Sequence, residues 1–344
     1  IARHTRHARE DLFGYHLVAG HPRLQEAIAD YLAASRGVRC APEQVVVVSG
    51  AQAGLDLIGR LLMDEGDHFW MEEPGYLGAH NAFLAAGGQP APLRVDGSGW
   101  DLESPMPPPR LVFVTPSCQW PLGRVMQMDE RLRLLQIAER HNAWIVEDDY
   151  DSEYRLRGQP IPAMQGLDRS GRVIYLGTFA KTMFPSLRIG FLVVPLQLVE
   201  GVKRAVSNTG HYPPLLTQVA LADFIIGGYF ATHLRRMRRL YAQRQSAFIE
   251  ACDSSLGNWL AVEPADTGMQ VIGRFRRAMD DGVVLEAALR NGVDFSRLSA
   301  QYRHGPPEEG ALLGYAGVDE AEALAGIARL ATTFRELDAV PGVT

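Results

Sequence analysis

The sequence predicts an α/β protein, with a large, mostly parallel α/β/α sheet domain followed by a smaller C-terminal α+β domain. Three observations carry this expectation. Short apolar runs rich in β-branched residues recur at 45–48, 68–71, 111–115, 143–146, 172–176 and 191–194, each of strand length. Stretches with apolar residues at helical spacing lie between them, as strand–helix–strand crossovers require, and such a sheet is covered on both faces. After about residue 205 the texture changes to long helical patterns.

In chain order, residues 1–35 read as a linker or segment that packs with the small domain, 36–205 as the large domain and 206–344 as the small one. The first ten residues hold three arginines and two histidines, a faint nucleic-acid signal, and the start at Ile1 rather than Met suggests a fragment. Residues 52–63 and 128–141 serve as crossover helices, and 102–109, with four prolines, as a surface connection. Residues 215–250 form one long helical pattern. It contains His233-Leu234-Arg235-Arg236-Met237-Arg238-Arg239, read as a solvated face pairing with acidic groups rather than a DNA patch. Helices at 283–290 and 320–337 complete the small domain.

Composition bounds the function. With 344 residues, 47% hydrophobic and 22% charged, the chain can bury a large core, and its net charge of -6 leaves no general nucleic-acid footprint. Cys40, Cys118 and Cys252 are odd in number and lack metal-ligand spacing, so neither a disulfide framework nor a zinc site is expected of them, and a reducing cytoplasm is the expected compartment. No run approaches the ~18 apolar residues of a membrane span.

Open α/β sheets bind ligands beyond the carboxyl ends of their strands. Four of those ends are chemically loaded. Ser49-Gly50-Ala51-Gln52 runs from a strand into a helix and reads either as a phosphate cup or as a plain serine cap. Glu72-Glu73-Pro74-Gly75-Tyr76 offers Tyr76 as a cover for a planar ligand, or as a rim tyrosine. Trp144-Ile145-Val146-Glu147-Asp148-Asp149-Tyr150-Asp151 delivers acids to a strand end for a metal or a cation, or simply where the chain meets water; alternation cannot point all three adjacent acids inward, and one is expected to be the working group. Lys181 closes Gly177-Thr178-Phe179-Ala180 after a buried-strand pattern, where its amine is expected to be partly desolvated and nucleophilic. A Schiff-base lysine, a carboxylate, a phosphate cup and an aromatic cover are the parts that hold pyridoxal 5'-phosphate.

On these residues the sequence resembles the fold type I pyridoxal-phosphate enzymes. Within them it is similar to the aminotransferase-like domain of MocR/GabR-type regulators of the GntR family. The subfamily resemblance rests on Ser49-Gly50-Ala51-Gln52, Glu73-Pro74-Gly75-Tyr76, Pro116-Ser117-Cys118-Gln119-Trp120-Pro121, Glu147-Asp148-Asp149-Tyr150-Asp151-Ser152-Glu153, Gly177-Thr178-Phe179-Ala180-Lys181-Thr182 and the run from His233 to Arg238. It implies that Lys181 forms the internal aldimine, that Asp148 pairs with the pyridinium nitrogen and that Tyr150 donates to the ring phenolate. It further implies that Gly50, the Ala51 and Gln52 amides, Thr178 and Arg188 hold the phosphate, that Tyr76 stacks on the ring and that Gln119 lies near the phenolate side.

The sequence departs from the family at Cys118, Leu122 and Ala180. Where an arginine clamp for a carboxylate is expected, Glu308-Glu309-Gly310-Ala311 stands, with Arg297 and Arg303 as nearby substitutes. The resemblance implies a homodimeric sensor that exchanges Lys181 for an amine or amino-acid effector and reaches DNA through an upstream winged-helix domain. The alternative is a working class I/II aminotransferase. The subfamily runs and the missing clamp favour the sensor, and the intact Asp148, Tyr150, Lys181 and Arg188 set argues against a domain that has lost its cofactor.

Overall fold

The computed structural model describes residues 14, 17–159 and 161–339. The basic first ten residues lie outside these. An eight-stranded sheet contains β1 (Val45–Val48), β2 (His68–Glu73), β3 (Gln89–Asp96), β4 (Gly99–Trp100), β5 (Leu111–Val114), β6 (Trp144–Asp149), β7 (Val173–Thr178) and β8 (Gly190–Val193). Its order is β1-β8-β7-β6-β5-β2-β3-β4.

All four valines of β1 are fully buried because the sheet is covered on both sides. Val46 and Val48 face a core completed by Leu55 and Ile58 of α2 (Ala51–Leu62), Phe83 of α3 (Leu77–Ala85) and Val202 of α5 (Val199–Thr209). Val45 and Val47 face the other way, onto Leu24, Ile28 and Leu32 of α1 (Pro22–Arg36). Further along that second face, α4 (Met128–His141) packs Leu134, Ile137 and Ala138 on Val112, Ile145 and Val173. Alternate residues of one strand thus serve opposite cores, and the sequence shows unbroken apolar runs.

The pairings β3–β2, β2–β5, β5–β6 and β6–β7 are parallel, but β8 runs antiparallel to both β7 and β1, and β4 antiparallel to β3. The sheet is therefore mixed. Strand direction leaves no trace in a buried run, since both senses want the same side chains. Strand β3 goes unread in the sequence because Pro90 and Pro92 demote it. Those prolines lie where β4 does not reach, since β4 meets β3 only at Val95 and Asp96. The period-two burial of Ala91, Leu93 and Val95 was the available signal.

The single helical pattern expected over 215–250 is two helices, α6 (Leu215–Ile226) and α7 (Tyr229–Leu256), bent by 74° at Gly227 and Gly228. Gly228 takes φ 74, a left-handed turn that suits a residue without a Cβ. Helix α7 joins two cores. Its Phe230 and Leu234 pack with α1 and the large sheet, and its Phe248, Cys252 and Leu256 pack in the smaller C-terminal unit. That unit holds β9 (Leu260–Val262), β10 (Gln270–Phe275), β11 (Ser296–Arg297) and β12 (Gly310–Gly314), with α8 (Asp281–Arg290) and α9 (Glu320–Asp338). Its strands run antiparallel in the order β11-β12-β10-β9. Among the described residues no single helix is long and apolar enough to cross a membrane.

Candidate functional site

The antiparallel entry of β8 builds the first part of the site. Gly190 lies opposite both Val48 and Thr178, so the end of β1, the end of β7 and the start of β8 meet at one sheet edge. A Cβ on Gly190 would stand 2.8 Å from the carbonyl carbon of Gly50, which leaves glycine as the residue that lets these backbones meet. Arg188, two residues earlier and held at φ 53, reaches over β1 and donates from Nη2 to the Ser49 carbonyl at 2.9 Å. Gly50 has φ 94, and a Cβ there would sit 3.4 Å from the Arg188 guanidinium carbon. No side chain caps the first turn of α2. A bare helix N-terminus beneath a guanidinium is a cup for an anion.

Strand β6 sorts its acids by alternation. Glu147 is fully buried and accepts from the Met164 and Gln165 amides at 2.7 and 2.8 Å. Asp149 binds Arg36 Nε at 2.7 Å and the Tyr175 hydroxyl at 2.6 Å. Asp148, between them, points the other way into the cavity, is 5% exposed, and has no hydrogen-bond partner at Oδ1. Burial pushes its carboxyl up to about 8, helped by the charges of Asp149, Glu72 and Asp151 and opposed by Lys181. A buried oxygen with no donor is a vacancy for a cationic or N–H group.

These elements enclose a cavity of about 230 Å³ lined by Gly50, Ala51, Gln52, Tyr76, Asp148, Tyr150, Thr178, Lys181 and Arg188. Nine of the ten residues singled out in the sequence are thereby brought together. Tyr76 donates to Gln52 Oε1 at 3.3 Å, and burial followed by the Asp148 charge raises its hydroxyl pKa. Tyr150 donates to Cys118 Sγ at 3.5 Å, and burial holds its pKa well above the usual tyrosine value. Gln119 does not line the cavity. It is fully buried behind it, donating to the carbonyls of Pro74 and Trp120 at 2.7 and 2.6 Å and so shaping the turn that presents Trp120.

The expected partial burial of Lys181 is not what the structure has. The residue is exposed, in a turn beyond the end of β7, because the strand stops at Thr178 and the cavity is open there. What fixes it is the turn. The Tyr154 hydroxyl donates to the carbonyls of Lys181 and Thr182 at 3.3 and 3.4 Å, and His233 Nε2 lies 2.9 Å from the Thr182 carbonyl. The basic run on α7 therefore engages backbone as well as solvent, and Arg238 Nε likewise reaches the Glu153 carbonyl. The expected pairing of this run with acidic side chains is replaced at these two residues by carbonyl contacts.

Sequence reasoning also missed Thr115 and Pro185, and assigned no role to Trp120; all three line the cavity, as does Ala180, one of the departures from the family. Trp120 donates from its indole to Gln301 Oε1 at 3.0 Å and meets Tyr150 edge-on, ring centres 6.1 Å apart. Neither substitute arginine lines the cavity. Arg297 lies 3.8 Å from Asp281, and Arg303 turns its guanidinium back to the Tyr302 carbonyl at 3.1 Å.

The arrangement suits a flat ligand with an anionic group over α2, a ring nitrogen at Asp148, an aromatic cover at Tyr76 and an electrophilic carbon near an amine. Residues 1–298 match the family of class I and II aminotransferases. The chain is 64% identical over 339 residues to the probable rhizopine catabolism regulatory protein MocR of Rhizobium meliloti, covering 98% of this chain and 69% of that one. It is 34% identical over 331 residues to the uncharacterised HTH-type transcriptional regulator YdeL of Bacillus subtilis, covering 94% and 71%. Among solved structures it superposes, with a TM-score of 0.88 and 28% identity, on LysN, an α-aminoadipate aminotransferase from Thermus thermophilus complexed with N-(5'-phosphopyridoxyl)-L-leucine. That match covers 98% of this chain and 87% of that one. The architecture is that of the fold type I pyridoxal-phosphate aminotransferases. The chain belongs to the class I and II aminotransferase family, as the aminotransferase-like domain of a MocR-type transcriptional regulator.

Proposed function

We propose that this domain binds pyridoxal 5'-phosphate and senses an amine, serving a homodimeric regulator whose DNA contacts are made by a separate winged-helix domain. The observation that carries the reading is the unpartnered, buried Oδ1 of Asp148, facing a cavity that also holds the anion cup of α2 and Arg188. When bound, the cofactor supplies an aldehyde carbon that bonds reversibly to a primary amine.

The residues divide the remaining work. The Ala51 and Gln52 amides, Thr178 and Arg188 hold the phosphate, with Gly50 leaving room for it. Asp148 would face the ring nitrogen and favour its charged form, since a nearby cation reverses the effect of burial on a carboxylate. Tyr150 directs its hydroxyl to the ring oxygen, Tyr76 covers the ring, and Gln119 holds the Trp120 turn. Lys181 would supply the amine that an effector replaces, and carbonyl contacts tie its turn to Tyr154 and to His233 of α7. The sensor is favoured over an aminotransferase by the 64% identical regulator.

Borohydride treatment of the cofactor-loaded protein, followed by peptide mapping, is expected to place the label on Lys181. A label elsewhere removes Lys181 from this role. Sustained turnover with amino-acid and 2-oxo-acid pairs would establish the enzyme reading instead.

A further inference from the structure

We infer that a second cavity, formed against α1, binds a small zwitterion, a molecule of amino-acid size that carries one ammonium and one carboxylate. The inference goes beyond the reading above and does not depend on it, because the two cavities share no lining residue. The second measures about 260 Å³ against about 230 Å³ for the cofactor cavity, which is room for an organic molecule rather than a single ion. Arg36 of α1, Ser152, Glu153 and Arg155 after β6, Arg238 of α7 and Thr267 of the smaller unit line it. An isolated antiparallel bridge joins Arg155 to Thr267.

Four of these residues keep a buried side-chain atom without a hydrogen-bond partner: Ser152 Oγ, Glu153 Oε2, Arg155 Nε and Thr267 Oγ1. Nine such atoms occur among the described residues, so nearly half belong to the lining of this one cavity. Thr267 is only 1% exposed. Unmet polar atoms at that depth cost free energy unless a partner fills the space beside them.

The unmet atoms are of opposite kinds. Arg155 Nε can only donate, and Glu153 Oε2 of the ionised acid can only accept, yet the two are not bonded to each other. The Tyr31 hydroxyl donates to Glu153 Oε1 at 2.9 Å, which fixes the carboxyl and leaves its second oxygen open. Burial, and then the charge of Asp149, push that carboxyl up to about 7, and an ammonium beside it would hold it ionised. Arg36 is already committed, donating to Asp149 at 2.7 Å, to Ser117 Oγ at 2.6 Å and to the Ile161 carbonyl. Arg238 is exposed, gives Nε to the Glu153 carbonyl and adds a second guanidinium to the lining. A lone anion would leave Glu153 Oε2 unmet, and a lone cation would leave Arg155 Nε unmet. One occupant bearing both signs satisfies both, with the Ser152 and Thr267 hydroxyls free to donate or accept.

The test is titration calorimetry on the full chain, loaded with pyridoxal 5'-phosphate and reduced with borohydride so that amines cannot exchange in the cofactor cavity. Serine is compared with ethanolamine and 3-hydroxypropionate, and leucine with 3-methylbutylamine and 4-methylpentanoate, each analogue lacking one of the two charges. At least one of the amino acids is expected to bind one to one, at least about tenfold more tightly than either of its analogues, the scale of a lost charged hydrogen bond. Glu153→Gln and Arg155→Gln are each expected to weaken that binding by at least about tenfold while the cofactor absorption stays as in the parent. Absence of binding by both amino acids at millimolar concentration overturns the inference, as does an analogue that binds as tightly as its amino acid. A folded Arg155→Gln protein that binds as the parent does overturns it too. The ranking of the ligands needs no variant and decides the matter even if neither substitution folds.

Discussion

Asp148→Asn is expected to stabilise the cofactor-free protein while loosening its hold on the cofactor. Burial first, and then the charges of Asp149, Glu72 and Asp151, raise the Asp148 carboxyl from 3.8 to about 8. Between those values the native protein keeps a proton that the unfolded chain releases. Stability is therefore full below the unfolded value and falls as pH rises towards the folded one. Each pH unit in that window is worth about 1.4 kcal/mol. At pH 7 the residue, 5% exposed and partnerless at Oδ1, then costs the empty protein about 4 kcal/mol. At pH 5 the cost is about 2 kcal/mol. Asparagine does not titrate, so urea unfolding of the cofactor-free variant and parent should diverge steadily between these pH values, the variant being the more stable. With cofactor the gap narrows, because a charge-assisted hydrogen bond of about 1.5–3 kcal/mol is lost and affinity falls about 10- to 150-fold. A variant with the parent's pH dependence, or one less stable than the parent at pH 7 without cofactor, would refute the reasoning.

Arg36→Ala strands Asp149, whose carboxylate Arg36 holds at 2.7 Å with both side chains buried, and should lower stability by about 3–5 kcal/mol in chemical unfolding. A loss below 1 kcal/mol, the range of surface pairs, would show that this pair acts like a surface one. Gly190→Ala drives a Cβ to 2.8 Å from backbone at Gly50, and should cost about 1–3 kcal/mol and weaken binding of inorganic phosphate measured by calorimetry. Unchanged phosphate affinity would separate this strand contact from the anion cup. Tyr154→Phe removes the hydroxyl that reaches the Lys181 and Thr182 carbonyls, at about 1 kcal/mol. Proteolysis at residues 179–184 should quicken, and an unchanged rate would mean that the turn is held by other contacts.

Much of the site was legible because its residues are tied to strand ends. An apolar run that stops at Gly50, Asp148 or Thr178 marks a sheet edge, and in an open α/β sheet that edge is where ligands bind. The acids of β6 were legible as a group but not as individuals. Alternation says that neighbours diverge, yet only Arg36, Met164 and Gln165, arriving from elsewhere in the chain, show which acids are already partnered. Lys181 was misjudged for the related reason that burial of a strand does not extend into the turn beyond it. Trp120 was quoted only as a motif letter, since its place on the cavity wall depends on a turn held by Gln119 and on Gln301 from the small domain.

By itself the sequence determined six of the eight strands of the large sheet, the α/β class, and nine of the residues that line the cavity. Each of these is written in a local pattern of burial or residue type. Tertiary structure alone decided that β8 runs against its neighbours and so carries Arg188 to Gly50. It also decided that Lys181 is exposed, that Arg297 and Arg303 do not line the cavity, and that Trp120 does. These are questions of direction and of contact between distant segments, and a local pattern fixes which side chains are buried without fixing what they are buried against.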